Sequence, residues 1–180
     1  EQGCLPLALH PVMTFTGTSI DLNRLSACPF GITTVQTLRP VAETLVVEIG
    51  GEPIWVPEEN RGLYHAALTF GANNLMTLVT QTTELLVAAG ITNPENLVAP
   101  LMGASLDNAL RNGDAALSGP VARGDAGTVR EHLRVLENFD PAVTQAYRAM
   151  ARLTAIRALA SGTLQPHLAE ELLIVLADQS

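Results

Sequence analysis

Residues 58–90 read EENRGLYHAALTFGANNLMTLVTQTTELLVAAG, and this stretch decides the architecture. Leu63, Ala66, Ala67, Phe70, Leu75, Leu78, Val79, Leu85 and Leu86 recur at helical spacing without an interrupting proline, and Gly90 supplies a stop. The spacing predicts one helix over Glu58 to Ala89 with these residues on its buried faces. At 1.5 Å per residue it is about 45 Å long, more than the width of a small domain. A helix of that length needs a second chain to cover it, so a homodimer is expected.

Toward the C-terminus the helical period continues. Asn93-Pro94 opens a second helix reaching Arg111, with Pro100 as a possible bend and Asn112-Gly113 as its end. A loop runs to Gly124. Asp125 is placed to N-cap a third helix, because its carboxylate can accept the free amide hydrogens of the first turn. Asp140-Pro141 repeats that start for a fourth helix, closed by Ser161-Gly162, and Pro166 to Asp178 is a fifth.

Toward the N-terminus the pattern changes. Leu5 to His10 and Pro29 to Thr34 are short apolar runs that read as buried strands with a loop between them. Val41, Leu45, Val46 and Ile49, closed by Gly50-Gly51, fit a helix with a glycine cap, although the TLVVEI core also suits a strand. Ile54, Trp55 and Val56 form a third strand. Strand, connection, strand, helix, strand is the pattern of half an open α/β sheet. The expected fold class is α+β, mostly α: a remnant of a Rossmann-like parallel sheet in residues 1–57, then a helical domain in residues 58–180.

Composition narrows the chemistry. The 180 residues are 47% hydrophobic and 4% aromatic, with net charge −8, which excludes a disordered tail and disfavours nucleic acid and anionic membranes. A small molecule or another protein chain is the better partner. All ten basic side chains are arginine, so Schiff-base chemistry and a lysine proton donor are excluded. Cys4 and Cys28 form neither a disulfide framework nor a metal-ligand spacing, so no metal is expected and the cytoplasm is the default compartment. No apolar run reaches the ~18 residues needed to cross a bilayer, and the first residue is not Met, which suggests a fragment or a processed chain.

Two places carry polar residues suited to chemistry. His65, Thr69 and Asn73 are spaced i, i+4, i+8, forming one polar stripe on the long helix. They are either a satisfied structural row or an acid–base group with an amide to hold a substrate oxygen. The stripe can be catalytic only if the imidazole lines a cleft. An imidazole facing bulk water, or sealed among aliphatic neighbours, leaves the scaffold assignment alone standing. In Leu117 to Asp125, Gly119-Pro120 and Arg123-Gly124-Asp125 break secondary structure and free backbone amides. There Ser118 and Arg123 could take an anion, or Asp125 could cap the next helix with Arg123 as its ion-pair partner. His132 reads as a solvated helix residue.

The phrases HPVMTF, LYHAALTFGANN and LSGPVARGDAGTVREHL, in this order, resemble a bacterial family with a Rossmann-like N-terminal domain and a helical C-terminal domain of unknown function. That family is similar to ketopantoate reductases, pyrroline-5-carboxylate reductases and the 6-phosphogluconate-dehydrogenase-like group. The resemblance covers essentially the whole chain. It implies an NAD- or NADP-dependent oxidoreductase acting on a small oxo- or imino-acid, with a 6-phosphogluconate-dehydrogenase-like helical domain. A glycine-rich dinucleotide loop does not occur in residues 1–180, so this chain by itself should hold neither cofactor tightly.

Where ketopantoate-reductase relatives carry a lysine that protonates the carbonyl oxygen, the resemblance places His65, with Thr69 and Asn73 at the following turns. It also places His10 at the crevice outside the carboxyl ends of the sheet, and Ser118, Arg123 and Asp125 on the substrate side. The competing reading is a non-catalytic dimerisation or ligand-sensing module, which the missing lysine favours. A third is a free-standing helical binding domain, which an absence of parallel pairing between residues 5–10 and 29–34 would support.

Overall fold

The computed structural model describes residues 4–177, and the Asp178 end of the expected fifth helix lies outside them. The chain forms two compact units, one up to Met76 and one from Thr77.

In the first unit, strands β1 (Leu7–Pro11), β2 (Pro29–Thr34) and β3 (Glu52–Trp55) form a sheet in the order β1-β2-β3. Helix α1 (Ile20–Leu25) interrupts what the sequence suggested was loop. Its Asp21, buried at 7% exposure, accepts hydrogen bonds from Thr16 N, Thr16 Oγ1 and Gly17 N. Helix α2 (Arg39–Glu48) resolves the TLVVEI ambiguity as helix. Gly50, at φ +85°, and Gly51 donate back to Val47 O and Val46 O, closing its last turn.

The sheet is mixed, which corrects the expected parallel arrangement. β2 and β3 are parallel, but β1 runs antiparallel to β2, with His10 opposite Gly31. The connecting helices give the reason. A right-handed crossover must carry the chain back along the strand. The two connections, residues 12–28 and 35–51, are equally long but differ in what they hold: the ten-residue α2, whose Ala42 and Val46 pack in the sheet core, against only the six-residue α1.

Strand alternation then sorts the side chains. Phe30 and Ile32 join Ala42 and Val46 of α2 in the core, with Leu7, Leu9 and Trp55 packed against it. Ala8, His10, Gly31, Thr33 and Ile54 belong to the opposite face.

In the second unit, α4 (Glu95–Asn112) is followed by α5 (Gly119–Arg123), α6 (Ala126–Phe139), α7 (Pro141–Ala160) and α8 (Pro166–Leu176). Ala151, Ala155 and Ala158 form a small-residue stripe on α7, against which Val129 and Leu133 of α6 and Leu172 and Leu176 of α8 are buried. Asp125 and Asp140 cap α6 and α7 as expected, accepting from Thr128 N at 2.9 Å and Ala142 N at 2.7 Å. The expected loop before Gly124 is in part α5, because a proline in the first helical turn costs no hydrogen bond. Gly124 ends α5 at φ +74°, and a Cβ there would stand 2.6 Å from Leu168 Cβ.

The long helix α3 (Arg61–Ala88) forms much as expected after a 3-10 turn at Glu58–Asn60. Its burial does not follow. None of its 28 residues is buried, and Leu63, Phe70 and Met76 are each more than 60% exposed.

Candidate functional site

Gly31 is a glycine in the middle of β2 whose φ lies outside the left-handed region, so its backbone does not demand it. Space does. A Cβ built there would stand 2.7 Å from Cζ of Tyr64, because the Tyr64 phenol, from the first turn of α3, rests directly on the β2 backbone. From that seat Tyr64 Oη makes a 2.9 Å hydrogen bond to Nδ1 of His10, and the two rings meet edge to face at 5.6 Å. Burial, with a smaller contribution from Cys28, pushes the Tyr64 phenol above its ordinary value of 10.0. The phenol is therefore neutral at physiological pH and able to donate to His10.

Toward the carboxyl end of β2 the sheet borders a pocket of about 430 Å³. Leu7, Ala8, Thr33, Val35, Glu58 and Arg61 are among its walls. Ala8 and Thr33 belong to the same sheet face as His10. The hydroxyl of Thr33 donates to Val56 O at 2.7 Å and that of neighbouring Thr34 to Pro6 O at 2.8 Å. Arg61 Nη1 donates to Glu58 Oε1 at 3.1 Å, an exposed i, i+3 pair.

His10 does not stand where the sequence reading put it. Because β1 is antiparallel, the end of that strand lies beside the start of β2. His10 is therefore over the middle of the sheet rather than beyond the carboxyl ends of the parallel strands.

His65, Thr69 and Asn73 all lie exposed along α3. Ser118, Arg123 and Asp125 gather at the α5–α6 corner of the second unit. Ser118 precedes α5 without capping it, and Arg123 is exposed at its end. Both oxygens of Asp125 serve the cap, Oδ1 toward Thr128 N and Oδ2 toward Thr128 Oγ1. Those hydrogen bonds, against an opposing effect of burial and with lesser help from Arg123 and His132, hold its carboxyl below the usual 3.8. His132 is exposed but not merely solvated, since its Nδ1 is 2.9 Å from Tyr147 Oη.

Sequence reasoning missed Tyr64, Gly31 and Arg61. One signal was present: a glycine inside a strand pattern marks a close approach by another group, and Tyr64 is one of only two tyrosines. Among the described residues no group of three or more His, Cys, Asp or Glu could hold a metal ion, and no helix is long and apolar enough to cross a membrane.

Comparison with known proteins completes the description. No curated protein matches the chain. A Thermotoga maritima protein of known structure is 26% identical, with a TM-score of 0.72 over 86% of this chain and 62% of its own. A "putative NADP oxidoreductase" from Bacteroides fragilis is 23% identical, with a TM-score of 0.70 over 86% of this chain and 59% of its own. The chain thus spans about three-fifths of the length of each. A family model described as a domain of unknown function, DUF2520, matches residues 28–154, which is more than half the chain, so the protein belongs to the DUF2520 family.

Proposed function

We propose that the chain supplies the sheet edge and the helical dimerisation domain of an NADP-type oxidoreductase acting on a small oxo- or imino-acid. The observation that carries this reading is the likeness in fold to the Bacteroides fragilis protein, whose name includes an NADP oxidoreductase activity. The antiparallel pairing of β1 with β2 is the outcome that favours a free-standing helical domain, whereas the parallel β2-α2-β3 unit supports a Rossmann-like origin. The boundary we propose between the two functional parts is near residue 57, where strands give way to helices. The dinucleotide-binding loop of such an enzyme comes from residues outside this chain.

The second chain belongs to the same reading. A 28-residue helix with no buried residue is covered when two copies pack along α3, and His65, Thr69 and Asn73 then acquire a wall that one copy lacks. In that setting His65 is the proton donor and Asn73 and Thr69 orient the substrate, while Ser118, Arg123 and Asp125 form a separate candidate polar cluster within the second unit. The exposure of His65 in the single chain favours the alternative, a non-catalytic dimerisation or ligand-sensing module on the same scaffold.

Two experiments separate these. Titration of NADPH into a protein of the neighbours' full length should give micromolar binding; no binding refutes the oxidoreductase reading. If it binds, His65→Ala should lower turnover with cofactor affinity nearly unchanged, and unaltered turnover leaves the non-catalytic module. Sedimentation at micromolar concentration should show a dimer that Phe70→Glu dissociates, since a stable interface buries on the order of 1,000 Å² or more.

A further inference from the structure

We propose that the pocket between β1, the carboxyl end of β2 and the first turn of α3 binds a short-chain carboxylate, held by Arg61, with His10 as hydrogen-bond donor to a neighbouring oxygen of the same ligand. This deepens the oxidoreductase reading and rests on it only for the choice of an oxo acid as probe.

Glu58 and Arg61 balance each other in charge, so it is the vacant donors of Arg61 that point to an anion. Both threonine hydroxyls at the pocket are spent on backbone carbonyls, so its wall offers one strong donor, the guanidinium of Arg61. Arg61 has five N–H donors, and one of them is engaged, by Glu58. The others suit the paired oxygens of a carboxylate. Leu7, Ala8 and Val35 supply apolar wall, and about 430 Å³ falls within the range of small-molecule sites but favours a small occupant.

His10 supplies the second contact. It follows Ala8 by two residues on β1, so the two share a face and stand about 7 Å apart along the strand. Tyr64 follows Arg61 by one turn of α3, about 5 Å along the axis. When the neutral phenol donates to Nδ1 of His10, the imidazole proton resides on Nε2, across the ring and without a partner among the described residues. A phenol can donate to Nδ1 or accept from it; in the donating arrangement Tyr64 is a positioning residue that sets the His10 tautomer, and Gly31 leaves the room for it.

Pyruvate is titrated into the protein while imidazole ¹⁵N shifts are recorded, with His10→Asn identifying the His10 signals. Pyruvate should shift the His10 signals saturably and more tightly than acetate, which lacks the keto oxygen. Arg61→Gln should weaken pyruvate by about tenfold or more. Glu58→Gln should tighten it, because Glu58 competes for Arg61. Both positions are exposed, so neither change threatens folding. Tyr64→Phe should move the free His10 signals toward a mixture of tautomers.

Pyruvate binding that is indifferent to Arg61→Gln, or an absence of any His10 response, overturns the proposal. A Tyr64→Phe spectrum with the native tautomer overturns the positioning role. None of these readouts requires a nicotinamide cofactor. Failure here therefore leaves the oxidoreductase reading standing, and failure to bind NADPH leaves this site standing.

Discussion

Replacing Gly31 by alanine should destabilise the first unit, and should do so only while Tyr64 is present. In an unobstructed strand the exchange stabilises by about 0.5–1 kcal/mol, since alanine has less backbone freedom to lose. Here the new Cβ would meet Tyr64 Cζ at 2.7 Å and Cε1 at 3.2 Å. The backbone of β2 is fixed by ladders on both sides, so the tyrosine is what moves. Moving it sacrifices the exposed hydrogen bond to His10, about 0.5 kcal/mol, and the edge-to-face ring contact, about 0.5–1.5 kcal/mol. Some ring burial is lost as well. The net expectation is a loss of about 1–2 kcal/mol in the native background and a gain of about 0.5 kcal/mol in a Tyr64→Ala background, a coupling of about 2 kcal/mol. Trp55 is the only tryptophan and packs against the core of this unit, so its fluorescence during urea unfolding follows the relevant transition. Equal effects of Gly31→Ala in both backgrounds would show that Tyr64 does not occupy that space.

The remaining expectations concern stability and pH. Gly124→Ala should lower the urea midpoint of the helical unit, by about 1–2 kcal/mol for the left-handed backbone and about 1–3 kcal/mol for the clash with Leu168 and Leu164; a silent substitution would contradict the packing there. Burial raises both tyrosines above 10.0, so stability drawn from their neutral form is complete below that pH and is lost as pH rises through the folded values. Phenolate absorbance half-developed at the ordinary value would refute this. The depressed carboxyl of Asp125 works in the opposite direction, contributing stability above 3.8 that disappears as pH falls through its folded value. The difference in unfolding midpoint between wild type and Asp125→Ala should therefore shrink in acid, and a difference constant across that range would count against the cap.

Much of the helical architecture is legible from neighbouring residues alone. Aspartates at 125 and 140 start helices, Gly50-Gly51 and Gly90 end them, and an apolar period of three to four runs between, because helix formation is governed by groups within a turn of one another. The same local rules explain why Asp125 reads correctly as a cap. The absence of lysine, and what it excludes, also needs no structure.

What only the tertiary structure decides is direction and contact. Apolar runs announce β1 and β2 but not their relative sense, which only the pairing across the sheet shows. Periodicity marks Phe70 and Leu78 as apolar, yet whether α3 is covered depends on what packs against it, and none of its 28 residues is fully buried. His10 and Tyr64 meet across 54 positions of sequence because a glycine on the intervening strand leaves a hole, and no pattern within either segment encodes that encounter. Local sequence fixes which backbone groups satisfy each other nearby, while a site made of side chains from distant segments exists only once the chain has been folded around them.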